Sequence, residues 1–224
     1  MEKFIKSTPE ISISPLVEFV FASERKKASI IRDQKNPSDF IVARYRTARS
    51  AFSKYFINDF DKDTLINVIE RLQNNATGTE WAKNDRQNSV VALRHFLQFE
   101  FPFKNLKCTF VRPEHKSYAI EGVDVIVSPD LILQWEDNGK TQVGAIKFNI
   151  KKQSLTLQKG GLTATVIYDY LKQISSSYVI VNKDYCFCID VMSERIFSPN
   201  RIEDNIIVAK EACLEIKRLW TLPS

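Results

Sequence analysis

The hydrophobic pattern of the chain changes period at Pro102, and that change restricts the fold more than any other feature. Ahead of it, apolar side chains recur at three- and four-residue spacing, as in an amphipathic helix. Behind it, short runs rich in Val, Ile and aromatic residues predict strands. A chain of 224 residues with 44% hydrophobic and 26% charged residues can bury one sizeable core. Six glycines and eight prolines leave little room for a loop-dominated protein.

In the helical part, the stretch from Pro15 to Asp33 carries Leu16, Val17, Val20, Phe21, Ile30 and Ile31 among charges and reads as one helix. Asn36-Pro37-Ser38-Asp39 interrupts it, and Ser38 or Asp39 is suited to cap the next helix, from Phe40 to Asn58. Phe40, Ile41, Tyr45, Ala48, Phe52 and Phe56 form its apolar stripe. A further helix covers Thr64–Gln73, and another runs from Glu80 to Phe99, with Trp81, Val90, Val91, Leu93, Phe96 and Leu97 as its apolar set.

Strands are expected at Leu106–Arg112, Tyr118–Val127, Asp130–Trp135 and Val143–Ile150, the last two joined by a turn at Glu136–Lys140. Leu162–Ile174 has helical spacing. Tyr178–Asn182 and Tyr185–Met192 read as two strands around Lys183-Asp184, and Glu203–Leu219 as a final helix. This order divides the chain into a basic helical region, residues 1–75, and an α/β core, residues 76–224.

Charge is unevenly spread. Between Arg25 and Lys54 nine cations face two anions, a local net charge of +7 in a chain whose total is +5. Arg25, Lys26, Lys27, Arg32, Arg44, Arg46 and Arg49 in that segment are candidates for gripping a nucleic-acid backbone. A solvated helical face explains the same charges. The four cysteines lack zinc-site spacing, and Cys186 and Cys188 fall on one face of a strand, as buried free thiols do in a reducing cytoplasm. No apolar run approaches the roughly 20 residues of a membrane span, and the first residues lack the apolar stretch of a signal peptide. Cytoplasmic localisation without a membrane partner is therefore expected.

Two other features are weaker. His95 and His115 have no partner at metal-ligand spacing. Lys159-Gly160-Gly161-Leu162 reads as a turn with some capacity to offer N–H groups to a phosphate, without P-loop spacing.

The segment that can carry chemistry runs from Gly122 to Lys152. Pro129-Asp130 opens one strand and Lys147 lies in the returning one, so that an acid and an amine reach the same end of a hairpin. A carboxylate there can hold Mg²⁺, and a nearby lysine can orient a water or offset charge on a phosphate. The bland alternative has Asp130 capping a turn and Lys147 snorkelling from a sheet edge.

With Pro129-Asp130 and Ala145-Ile146-Lys147 in register, the chain from Glu80 to Leu219 resembles the PD-(D/E)XK restriction-endonuclease-like superfamily. The resemblance implies a central mixed sheet flanked by helices, with Asp130 as the first acid and Lys147 as the catalytic lysine. Ala145 stands where the second metal-binding acid belongs. Asp124, at even spacing from Asp130, and Glu80, at the start of the family's first helix, are candidate replacements. Gln153 and Gln158 could bond a water or a phosphate.

What the resemblance implies is a nuclease using Mg²⁺ or Mn²⁺ on DNA or RNA, DNA being favoured. If Ala145 has abolished cleavage, it implies a nuclease-shaped binding or adaptor subunit. A protein-interaction subunit or a homo-oligomer with a solvated basic face is a third possibility.

Overall fold

The computed structural model describes residues 7–36, 44–75 and 77–221. The fold is mixed α/β, with two mixed sheets and helices against them. The expected cap at Ser38 or Asp39 and the first part of the helix from Phe40 lie outside the described residues.

The chain begins with β1 (Glu10–Ser12), then five helices: α1 (Ile13–Val20), α2 (Glu24–Lys35), α3 (Arg46–Ile57), α4 (Lys62–Asn74) and α5 (Glu80–Phe96). Strands β2 (Thr109–Val111), β3 (Ser117–Ile120), β4 (Val123–Ile126), β5 (Leu131–Asp137) and β6 (Lys140–Asn149) follow. Then come α6 (Leu157–Ile174), β7 (Ile180–Asp190), a 3₁₀ turn (Val191–Ser193), β8 (Arg195–Phe197) and α7 (Ile202–Trp220).

Three elements are divided or joined differently from what the sequence suggests, and the short strands β1 and β8 are additions to it. The helix expected from Pro15 to Asp33 is two, α1 and α2, because Ser23 takes an extended conformation and starts α2 as its N-cap. The strand expected at Tyr118–Val127 is a hairpin. Glu121 and Gly122 both have positive φ, which folds β3 back on β4 through a two-residue turn. Conversely, the two strands expected around Lys183-Asp184 are one, β7, with a register irregularity opposite Gly144. The Asn182 side chain bridges that irregularity, donating to Gln142 Oε1 and accepting from the Asp184 N–H.

One sheet has the order β1-β4-β3, with β1 parallel to β4. The other has the order β2-β5-β6-β7-β8, antiparallel except where α6 carries the chain across between parallel β6 and β7. Strand β6 is buried on both faces, and its alternation separates two cores. Val143 and Ala145 face a cluster that includes α1, α6, α7 and β4. Ile146, Phe148 and Ile150 face a second cluster with α3, α4 and α5. The second cluster is dense in phenylalanine: the rings of Phe52 and Phe96 stack at 4.0 Å, and Phe56 packs edge-on to both Phe96 and Phe101. The helices of the N-terminal third therefore share cores with the strands, and β1 adds to a sheet.

Cys186, Cys188 and Cys213 are buried free thiols, and burial pushes each up to about 12. Among the described residues no helix is long and apolar enough to cross a membrane.

Candidate functional site

The site is built on the open end of the β5–β6 hairpin. Its closed end turns through Asn138 and Gly139, both at positive φ, which sets the register Leu131↔Ile146. At the open end the Asp130 N–H donates to the Ile146 carbonyl at 2.8 Å. Ser128, at φ 41°, and Pro129 swing the chain from one sheet to the other just before Asp130. The hairpin thus places Asp130 beside Lys147, as the sequence suggests.

Asp130 is almost closed off, its side chain 7% exposed. Its Oδ2 accepts from the Phe148 N–H at 2.8 Å, and Arg49 Nη1 donates to both carboxylate oxygens at 2.7 Å. Arg49 Nη2 also reaches the Phe148 carbonyl at 3.1 Å, which ties α3 to the end of β6. Charge-assisted bonds of this kind are strong where water is excluded. The Lys147 amine donates to the Ser128 carbonyl at 2.8 Å. Its pKa is pushed down to about 8, first by burial; Asp130 pulls against that shift, and Arg49 adds to it.

The remaining sequence candidates lie apart. Ala145 is fully buried in the first core, where a carboxylate would have no water. Asp124 belongs to β4 in the three-stranded sheet, beside Glu10 of β1. The even spacing between Asp124 and Asp130 therefore does not put them on one face, because the turn at Ser128 breaks the extended chain between them. Glu80 is exposed and pairs with Lys83 at 2.7 Å. Gln153 and Gln158 are exposed, outside the cleft described below. Among the described residues no three His, Cys, Asp or Glu side chains converge as a metal site. Among the described residues the one carboxylate at the hairpin end, Asp130, already has a cation in Arg49, and this arrangement does not fit a bound Mg²⁺.

Lys159-Gly160-Gly161-Leu162 is not a turn but the start of α6. Its N–H groups are used locally: Gly160 donates to the Thr156 carbonyl, and Lys159 to the Thr156 hydroxyl. His95 pairs through Nδ1 with Glu194 at 2.7 Å.

The hairpin end forms one wall of a cleft of about 1160 Å³, bordered also by the β1–α1 junction, the start of α3, and α5. Arg44, Arg49, Lys147, Lys151 and Lys152 line it, against one carboxylate among the described residues, Asp85. Of the basic candidates, only Arg44 and Arg49 are in this lining. Arg25, Lys26 and Arg32 are exposed on α2, Arg46 is exposed on α3, and Lys27 is neutralised by Glu215 at 2.8 Å and Glu24 at 3.1 Å. Lys151 and Lys152 are the cations that reasoning from the charged N-terminal segment misses. For Lys151 a local signal was present, since Lys147, Asn149 and Lys151 recur at a period of two from β6 onward; Lys152 falls off that period.

No protein-family model matches the chain, and no curated protein matches its sequence.

Proposed function

We propose that the protein binds the phosphate backbone of a nucleic acid in this cleft without a divalent cation, on a PD-(D/E)XK-like core that no longer holds a metal. The observation that carries this reading is the Arg49 guanidinium clamped on Asp130 at the edge of a cation-lined cleft. The family places a carboxylate-bound cation at that end of the hairpin, and here the chain supplies the cation itself. The order α5, β2, β5, β6, α6, β7 within one mixed sheet, with Asp130 entering β5 and Lys147 near the end of β6, supports the core assignment. The buried Ala145 supports the loss of the metal.

The test is binding of labelled DNA and RNA at low salt, with Mg²⁺ and with EDTA. Equal affinity in both supports the reading; loss of binding in EDTA overturns it.

A second reading, metal-dependent phosphodiester hydrolysis, is favoured by one observation: the Lys147 amine is buried at the hairpin end beside Asp130, and that burial pushes its pKa down to about 8. It requires Arg49 to leave Asp130. Mg²⁺- or Mn²⁺-dependent cutting that is lost in both Asp130→Ala and Lys147→Ala would establish it in place of the first.

A further inference from the structure

The α5 wall of the cleft differs in chemistry from the cationic wall. Trp81, Asn84, Asp85 and Asn88 line the cleft from positions i, i+3, i+4 and i+7, which is one face of the helix. The sequence counts Trp81 among the apolar residues of α5, but the indole is 42% exposed and belongs to neither core cluster. The other two tryptophans, Trp135 and Trp220, are buried. Among the described residues, the Trp81 ring stacks on no other aromatic ring and carries no cation. An exposed indole inside a charged cleft leaves a π-face free for a flat, polar partner.

Beside it, Asn84 and Asn88 each offer an amide with both donor and acceptor capacity. These groups suit an unpaired base. Its ring can lie on the indole, and its Watson–Crick edge is free to meet the amides. In a duplex both features are already used, by neighbouring bases and by the opposite strand. Across the cleft, Lys151 and Lys152 are exposed, Lys151 only loosely held by Glu18 at 3.8 Å.

We infer that the cleft takes a single strand of nucleic acid, with an unpaired base stacked on Trp81 and the backbone along Lys151 and Lys152. This inference rests on the nucleic-acid reading above and names the form of nucleic acid that the cleft selects. The α5 face is built to read bases, while the Lys151–Lys152 wall is indifferent to them.

The experiment measures affinity for a dT oligonucleotide, a U oligonucleotide and a DNA duplex of the same length, at one low salt concentration. Wild type, Trp81→Ala, Trp81→Phe and Lys151→Ala/Lys152→Ala are compared. Single strands are expected to bind more tightly than the duplex and to quench tryptophan fluorescence. Trp81→Ala is expected to weaken single-strand binding roughly 5- to 150-fold, with Trp81→Phe restoring most of it and duplex affinity unchanged. The dT and U arms separate DNA from RNA as the preferred strand. Duplex binding equal to single-strand binding and insensitive to Trp81→Ala would overturn this inference while leaving the phosphate-binding function intact. No binding in any arm would overturn both.

Discussion

Asp130 and Arg49 are separated by 81 positions, yet their charges meet at 2.7 Å in a place where Asp130 is nearly inaccessible. Removing the arginine strands a buried carboxylate. Arg49→Ala is expected to lower stability by about 2–3 kcal/mol in denaturant melts. That is less than the ~3–5 kcal/mol of a fully buried pair, because Arg49 is 38% exposed and water can follow. Adding Asp130→Asn should recover part of the loss, which a double-mutant cycle would read as coupling.

Lys147 makes a separate prediction. Its pKa is about 8 in the folded protein against 10.5 ordinarily. Between those values the unfolded chain binds more protons, so stability rises with pH across that window; the contribution is complete above 10.5 and lost as pH falls through 8. Lys147→Met is therefore expected to be more stable than wild type at pH 7 and to lose most of that advantage by pH 10.5. A flat difference between the two melts across that range would show that Lys147 is not desolvated.

Among the elements, α6 depends on what its first turns lack. A Cβ on Gly160 would run into the ring of Phe197, and one on Gly161 into the side chain of Asn200, so the helix can lie this close to β8 and the following loop only with glycine there. Alanine is the better helix former by ~1 kcal/mol, but overpacking costs about 1–3 kcal/mol or more. Gly160→Ala is expected to lower the unfolding midpoint, and a rise would mean that the contact with Phe197 is loose. In the sequence these glycines resemble a turn, because what they accommodate is a ring 37 positions away. Gly144 is comparable: it lies against the Tyr185 carbonyl at the irregular stretch of the β6–β7 pairing.

For the whole molecule, the cleft exists because β1, α3, α5 and the end of β6 converge, and its cations come from both halves of the chain. The net charge of the N-terminal segment is a poor guide to it, since much of that charge is exposed on α2 or paired with α7. The salt dependence of binding separates the two surfaces. Lys151→Ala/Lys152→Ala is expected to reduce the slope of log affinity against log salt by roughly 1.4 for a single strand. Arg25→Ala/Lys26→Ala should leave the slope unchanged. The opposite result would move the interface to α2.

Local pattern determined much of this protein: the change from helical to strand periodicity at Pro102, the β5–β6 hairpin with its Asn138-Gly139 turn, the buried face shared by Cys186 and Cys188, and the meeting of Asp130 with Lys147 at one hairpin end. All of these follow from side-chain period and turn chemistry over a few residues. Tertiary structure alone decided that Arg49 would occupy Asp130, that Asp124 would lie in a different sheet, that Trp81 would face a cleft, and that Lys152 would join Arg44 there. Each of these depends on which distant segments pack together. Packing is set by the shape and burial of whole faces, and a charge or an indole reads the same in sequence whether its neighbour is solvent, a carboxylate or a ligand.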